Sequence, residues 1–184
     1  MRVIAGTAKR RGLIVPRGLA VRPTADRVKE ALFSILGALV PGCSFLDLFA
    51  GAGTVGIEAL SRGAGRVVFV EKDVNNRRVI EKNLQSTDLA ENARRLGLPV
   101  EKALPLLAAE LTSFDLVFMD PPYEQGLIPA TLAGLCRYDL LKPRGVAIAE
   151  SGKKTFTPEN VAGRLWRYRQ EVYSETMLTF YQYK

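Results

Sequence analysis

A helical spacing of apolar residues follows the turn-forming residues near position 20. Apolar side chains recur at intervals of three and four, which predicts an amphipathic helix over residues 25–39. The apolar stripe consists of Val28, Ala31, Leu32, Ile35 and Leu36. Thr24 precedes the helix as a suitable N-cap. Arg27, Lys29 and Glu30 fall off the stripe or at its edge, so we expect them to face water or a ligand.

Strands and helices alternate from residue 44 to residue 151. Apolar runs predict strands at residues 44–49, 66–71, 114–120 and 145–151, and helical spacing predicts helices at residues 54–63, 73–86 and 126–138. Unbroken apolar runs suit strands that are covered on both faces, as in a parallel sheet between two helix layers. Residues 86–113 fit neither period well, so the third strand has no clear bounds.

The two ends of the chain read as short β structures. Two apolar pieces around a basic turn predict a β-hairpin within residues 1–18, and residues 164–184 predict two closing strands with a turn near residues 173–176. A chain of 184 residues with 47% hydrophobic side chains suits one main core. We therefore expect an α/β protein with a basic N-terminal extension at residues 1–20 and one domain at residues 21–184.

Most of the positive charge lies in the N-terminal segment. The formal net charge is +7, and residues 1–30 hold eight basic against two acidic side chains. Such a segment suits a polyanionic partner, although a solvated basic strand accounts for the charge alone equally well. The candidate contacts to such a partner in the basic turn and strand are Arg2, Lys9, Arg10 and Arg11.

The composition excludes several kinds of chemistry. The chain has no histidine, which rules out Ser-His-Asp and Cys-His machinery, and its two cysteines are too isolated for a disulfide framework or a metal site. Cytosine-C5 methylation needs a cysteine beside the base, whereas Cys43 precedes the first strand and Cys136 falls in a predicted helix. No apolar run approaches the roughly 20 residues that span a bilayer, and no secretory signal is visible, so we expect a cytoplasmic protein without a membrane partner.

A glycine-rich turn follows the first strand, in the segment FLDLFAGAGTVG with its G-x-G-x-x-G spacing. Gly51 and Gly53 allow a tight turn close to a ligand, and both NAD and S-adenosylmethionine sites use this device. Asp47 favours the second ligand, because a carboxylate there would repel a pyrophosphate and attract the ammonium group of a methionine moiety. Glu71 ends the next strand and could accept hydrogen bonds from ribose hydroxyls, which both ligands have. Taken singly, Asp47 could equally be a strand-end cap and Glu71 a surface residue.

Asp120, Pro121, Pro122 and Tyr123 follow a later buried strand, at the same sheet edge as the glycine turn. The exocyclic amino group of a purine is a weak nucleophile because its lone pair is delocalised into the ring. Acceptors on both of its N–H bonds, out of the ring plane, would free that lone pair to attack a sulfonium methyl. The Asp120 carboxylate and the Pro121 carbonyl could be these acceptors, and Tyr123 would stack on the base. The motif therefore predicts in-line amino methylation that depends on positioning and needs no histidine.

Four segments, in this order, resemble the RsmD family of bacterial 16S rRNA guanine-N2 methyltransferases: RPTADRVKEALFSIL, LDLFAGAGTVGIEALSRGA, VEKD and MDPPYEQG. The first is the most particular to the family, since other amino methyltransferases share the glycine and D-P-P-Y motifs. The resemblance spans nearly the whole chain. It implies a Rossmann-like class I S-adenosylmethionine-dependent methyltransferase fold, with a mostly parallel seven-stranded sheet and a C-terminal antiparallel strand pair.

The resemblance also implies a cofactor, a substrate and a set of site residues. S-adenosylmethionine would donate a methyl group to N2 of one guanine of 16S rRNA, in the small ribosomal subunit or an assembly intermediate, and we expect a monomeric enzyme. Asp120, Pro121, Pro122 and Tyr123 would hold the guanine. The cofactor would contact Thr24, Arg27, Asp47, Phe49, Ala50, Gly51, Gly53, Glu71 and Lys72, and the RNA would contact Arg2, Lys9, Arg10, Arg11 and Arg22.

One dipeptide departs from the pattern of such enzymes. They often have Asp or Asn before an alanine after the third strand, where it contacts the adenine amino group, and the corresponding dipeptide is assigned here to Lys102 and Ala103. Lysine cannot accept that hydrogen bond. Either Glu101, a backbone group or a water replaces it, or the assignment is out of register.

Three other functions stay open at this point. The same D-P-P-Y motif occurs in DNA adenine-N6 and other amino methyltransferases, although the small size argues against a sequence-specific DNA enzyme. The chain could also be a nucleotide-binding or RNA-binding module without catalysis. NAD-dependent oxidoreduction is the most distant alternative.

Overall fold

The computed structural model describes residues 1–16, 26–122 and 126–184. Three residues with predicted roles, Arg22, Thr24 and Tyr123, lie outside these ranges. In the described part of the chain, the helices are α1 (Asp26–Leu36), α2 (Thr54–Ser61), α3 (Val74–Thr87), α4 (Val100–Ala109) and α5 (Leu127–Arg137). The strands are β1 (Ser44–Leu48), β2 (Arg66–Val70), β3 (Ala93–Leu96), β4 (Phe114–Met119), β5 (Leu141–Gly152), β6 (Asn160–Val161), β7 (Leu165–Tyr173) and β8 (Thr176–Tyr183).

Within the described residues, the strands form one sheet in the order β3-β2-β1-β4-β5-β8-β7-β6. Strands β3 to β5 run parallel, and β8, β7 and β6 continue the sheet in antiparallel fashion. The predicted α/β architecture and the C-terminal strand pair are confirmed. The sheet has one strand more than expected, because the two-residue β6 pairs with β7 and is too short to produce a periodic signal.

Helices cover both faces of the sheet. Alternate residues of a strand point to opposite faces, so Phe45 joins the core beneath α1, α2 and α3, whereas Leu46 and Leu48 join the core beneath α4 and α5. All five residues of β1 are buried. This double burial explains the unbroken apolar runs in the sequence, and it leaves the carboxyl edge of the parallel strands for a ligand. No helix among the described residues is long and apolar enough to cross a membrane.

The third strand lies at the edge of the parallel part of the sheet, and the dipeptide assigned to the adenine contact follows it in α4. Among the described residues, strand β3 is paired only with β2. It exposes Arg94 and Arg95, which form ion pairs at the sheet edge and therefore give no apolar signal. Lys102 and Ala103 lie inside α4, where Ala103 is fully buried in the core. The dipeptide is thus separated from β3 by residues 97–99 and the start of α4, and its contact with the adenine stays a prediction.

The N-terminal arm, defined as residues 1–16, reverses direction as predicted. One antiparallel bridge, between Arg2 and Gly12, takes the place of two continuous strands. The arm is not a loose extension, because Val3, Ala8 and Leu13 are buried in the core shared with α1 and α2. Its basic residues are therefore held at fixed positions on the domain surface.

Lys29 differs from the prediction that it faces water or a ligand. Its side chain is fully buried, and its Nζ donates to the Arg2 carbonyl at 2.8 Å and lies 3.7 Å from Glu58 Oε2. Burial lowers the pKa of Lys29, and the Glu58 carboxylate opposes that change. The fully buried Glu58 also accepts hydrogen bonds from the backbone N–H groups of Ile4 and Ala5 and from Arg62 Nε. This network fastens the arm to α1 and α2.

Glu58→Gln is expected to lower the free energy of unfolding by about 2 kcal/mol, because the buried Lys29 ammonium then lacks its carboxylate. Amide exchange at Ile4 and Ala5 should become faster as the arm loosens. Denaturant unfolding and hydrogen exchange measure the two effects. Glu159→Gln is the matched control, since its ion pair with Arg167 is exposed and should contribute less than about 1 kcal/mol. Equal stability losses in the two variants would contradict this account of the network.

Candidate active site at the carboxyl edge of the sheet

The glycine turn after β1 combines an open side with a packed side. Phe49, Gly51 and Gly53 all have positive φ, at 59°, 55° and 75°, and the Gly53 N–H donates to the Ala50 carbonyl at 2.7 Å. A Cβ on Gly51 would meet no atom closer than 4.0 Å, whereas one on Gly53 would lie 3.1 Å from Ile80 Cγ1. Gly53 thus packs against α3, and the backbone at Gly51 is open to a ligand. Phe49 and Ala50 are partly exposed beside it.

Asp47 lies beneath this turn. It is only 2% exposed, and its Oδ2 accepts a hydrogen bond from the Gly56 N–H of α2 at 2.9 Å. Burial, with the nearby Glu71 carboxylate, raises the pKa of Asp47 to about 8, although the Gly56 N–H opposes the shift. The hydrogen bond from Gly56 fits the strand-end cap, which the sequence left open as an alternative role for Asp47. It also places a titratable carboxyl group under the proposed methionine-binding turn.

Glu71 joins the turns that follow β1 and β2. Its Oε2 accepts from the Gly51 N–H and its Oε1 accepts from the Asp73 N–H, both at 2.8 Å. A carboxylate oxygen can accept two hydrogen bonds, so each oxygen can still receive a ligand hydroxyl. Lys72 is exposed beside it, and Arg27 is exposed in the first turn of α1.

Asp120 and the prolines lie immediately after β4, which neighbours β1. The last parallel pair of these strands is Leu48 with Met119, so Asp120 is one residue beyond it at the carboxyl edge. Pro121 is buried and Pro122 is exposed. Burial raises the pKa of Asp120 well above its ordinary value, with further contributions from the Glu150 and Asp47 carboxylates.

Glu150 was missed in the sequence reading. It lies near the end of β5, the strand next to β4, and it is only 3% exposed. The signal was present, because an acid follows the apolar run of β5 as Asp120 follows that of β4. This acid belongs to none of the motifs that carry the resemblance.

Asn83 connects the N-terminal arm with the glycine turn and was also missed. Its Nδ2 donates to the Ala52 carbonyl at 3.0 Å and to the Ile14 carbonyl at 2.9 Å, and its Oδ1 accepts from the Ile14 N–H at 2.8 Å. The side chain is fully buried. A polar residue in a mostly polar helix gives no sequence signal for this role.

The basic residues of the arm have two kinds of environment. Arg11 Nη1 donates to Asp88 Oδ2 at 2.7 Å and to the Ser86 carbonyl at 2.6 Å, and Arg2 Nε lies 3.9 Å from Asp26 Oδ2. Lys9 and Arg10 are exposed and form no salt bridge within the described residues. Arg11 therefore helps to fasten the arm to the end of α3, whereas Lys9 and Arg10 present their charge to solvent.

The family described as "Conserved hypothetical protein 95" matches residues 1–182. The chain belongs to this family. Its curated relatives include several named "Ribosomal RNA small subunit methyltransferase D", so the resemblance of the sequence motifs to the RsmD family is confirmed.

Two curated relatives and one solved structure match this chain over most of their own length. "Putative rRNA methyltransferase YlbH" of Bacillus subtilis is 38% identical over 182 residues, which are 99% of this chain and 98% of the relative. "Ribosomal RNA small subunit methyltransferase D" of Escherichia coli K12 is 34% identical over 99% of this chain and 89% of the relative. The structure of "Putative methyltransferase yhhF from Escherichia coli" has a TM-score of 0.86 and 34% identity, covering 100% of this chain and 98% of that one. The class I methyltransferase fold is therefore confirmed.

Proposed function

We propose that this protein transfers a methyl group from S-adenosylmethionine to the N2 amino group of one guanine in 16S rRNA of the small ribosomal subunit. The observation that carries the proposal is the pairing of β1 with β4, since it brings the glycine turn and the Asp120-Pro121 acceptors to adjacent strand ends. Relatives with rRNA methyltransferase names support RNA as the substrate.

The residues around the glycine turn fit S-adenosylmethionine better than a dinucleotide. The backbone is open at Gly51, Asp47 can ionise to pair with an ammonium group, and Glu71 retains lone pairs for ribose hydroxyls. A pyrophosphate would bring no cation for Asp47 to pair with and would meet the Glu71 carboxylate, with an unfavourable Coulomb energy. S-adenosylmethionine, when bound, supplies a methyl group activated by its sulfonium charge.

The residues after β4 suit an amino group as the methyl acceptor. The Asp120 carboxylate and the Pro121 carbonyl can each accept one N–H of the guanine amino group, and the two prolines restrict the backbone that carries this carbonyl. Held in this way, the nitrogen lone pair can leave conjugation with the ring and attack in line. The raised pKa of Asp120 also suits its carboxylate to take the proton that N2 loses after transfer.

The decisive test measures transfer of a labelled methyl group from S-adenosylmethionine to small-subunit particles that lack the modification, with naked 16S rRNA and duplex DNA assayed in parallel. We expect N2-methylguanosine at one position in the nuclease digest. Label recovered as N6-methyladenine in DNA would instead support the alternative amino methyltransferase. Absence of transfer to any RNA or assembly particle would reject the proposal.

The exposed charges of the N-terminal arm are expected to bind phosphates, giving affinity without base selection. Lys9→Gln or Arg10→Gln should weaken RNA binding a few-fold at low salt and reduce the slope of log K against log [salt] by about 0.7–0.9 per charge. Fluorescence anisotropy across a salt series measures both quantities. Arg144→Gln, at an exposed position near the amino end of β5, is the control. If all three variants keep the salt slope of the unmodified protein, Lys9 and Arg10 face water and do not contact RNA phosphates.

A further inference from the structure

Glu150 lies beside the proposed amino-group site. The last parallel pair of β4 and β5 is Met119 with Ala149, so Asp120 and Glu150, the next residue of each strand, are neighbours at the carboxyl edge. Adjacent strands are about 4.8 Å apart, a spacing at which two such side chains can contact one ligand. The two residues are thus paired by backbone register.

Strand alternation, extended one residue past the end of β4, predicts that both side chains project to the same face of the sheet. Phe118 of β4 and Ile148 of β5 belong to the core that includes α1 and α2, and Asp120 and Glu150 follow them by two residues. The strand order β2-β1-β4-β5 puts Glu150 on the side of Asp120 away from the glycine turn. A group held by Asp120 therefore has the cofactor turn on one side and Glu150 on the other, so Glu150 is placed for the target base.

The chemistry of Glu150 suits one edge of guanine. A carboxylate only accepts hydrogen bonds, and guanine presents N1–H and N2–H₂ as contiguous donors. Adenine and other purines with an unprotonated N1 present a lone pair at that position, which a carboxylate repels. The contribution of Glu150 to the raised pKa of Asp120 supports the closeness of the two carboxyl groups.

Resting on the guanine-N2 function proposed above, we infer that the Glu150 carboxylate accepts the N1–H of the target guanine while Asp120 and the Pro121 carbonyl hold its N2 amino group. Glu150 is then a specificity-determining residue, which selects a purine protonated at N1. The same hydrogen bond restrains the orientation of the guanine ring, so that the N2 amino group lies against the Asp120 carboxylate and the Pro121 carbonyl.

The test compares RNA carrying guanine at the target position with RNA carrying 2-aminopurine there. The analogue keeps the 2-amino group, but its N1 is an acceptor. We expect the unmodified protein to favour guanine in kcat/KM by roughly ten- to a hundredfold. Glu150→Gln can donate an amide N–H to the N1 of 2-aminopurine, so the preference should fall toward one or invert. Glu175→Gln, whose side chain is 61% exposed, is the matched control and should keep the original preference.

The preference ratio separates recognition from a purely structural role. If Glu150→Gln lowers kcat/KM for both RNAs in the same proportion, or weakens only S-adenosylmethionine binding, the inference is overturned. If Glu150→Gln does not fold, the unmodified protein and Glu150→Asp decide the question. Equal kcat/KM values of the unmodified protein for the two RNAs overturn the inference. A strong preference for guanine that becomes smaller in Glu150→Asp supports it. Failure of the unmodified protein to methylate guanine in any RNA is a different result, which rejects the proposed function itself.

Discussion

Asp120→Ala is expected to lower kcat for methyl transfer by about 10²–10³-fold, because it removes one of the two acceptors that hold the amino group in the transition state. Affinity for S-adenosylmethionine should change little, since the glycine turn and Glu71 follow β1 and β2, not β4. Single-turnover methylation of small-subunit particles measures the rate, and calorimetry measures the binding. Loss of cofactor binding in parallel with activity would show instead that Asp120 supports the cofactor pocket.

Asp120→Asn separates hydrogen-bond acceptance from proton transfer. The amide oxygen can still accept one N–H of the substrate, so a positioning role predicts that much of the activity survives and that it no longer varies with the ionisation of this residue. The raised pKa of Asp120 predicts that activity of the unmodified protein falls as pH is lowered through that pKa, because a protonated carboxyl is a poorer acceptor. An asparagine variant as inactive as the alanine variant would identify Asp120 as an obligatory proton acceptor.

The sequence predicted best those elements whose structure follows from the pattern of their own residues. Apolar runs buried on both faces located β1, β2, β4 and β5, and the acids and glycines that follow them could be assigned to one edge because parallel strands end together. The predicted roles of Asp47 and Asp120 depend more on their common position at this edge than on the sequence motifs that contain them.

The residues that escaped prediction take part in contacts between distant segments. Lys29 falls at the edge of a helical stripe, and only the arm, docked from 27 residues away, makes it a buried partner of Glu58. Asn83 joins Ile14 to Ala52 across three parts of the chain. Periodicity describes the environment of a residue within its own element, so it cannot reveal such bridges. Strand β3 was unclear for a related reason, since an edge strand with ion-paired arginines has little apolar pattern.

Asp47→Asn is expected to stabilise the ligand-free protein at neutral pH and to weaken S-adenosylmethionine binding. The folded protein raises the pKa of Asp47 to about 8, so between about pH 4 and pH 8 the folded state holds a proton that the unfolded state has released. The contribution of Asp47 to stability therefore falls as pH rises through this window, by about 1.4 kcal/mol per pH unit at most. Asparagine can accept the Gly56 N–H without this cost.

Denaturant unfolding of the unmodified protein and of Asp47→Asn at pH 5 and pH 8 measures the effect, and the variant's advantage should grow with pH. Asp139→Asn is the control. Because the Asp139 side chain is 71% exposed, the stability difference of this variant should not grow with pH.

A bound ammonium group would favour the ionised form of Asp47. Calorimetry in two buffers should therefore detect proton release when S-adenosylmethionine binds below pH 8. Asp47→Asn should lose both this proton release and its affinity for the cofactor. A stability difference independent of pH would mean that Asp47 is already ionised, in which case the carboxylate acts as a permanent charge and binding releases no proton.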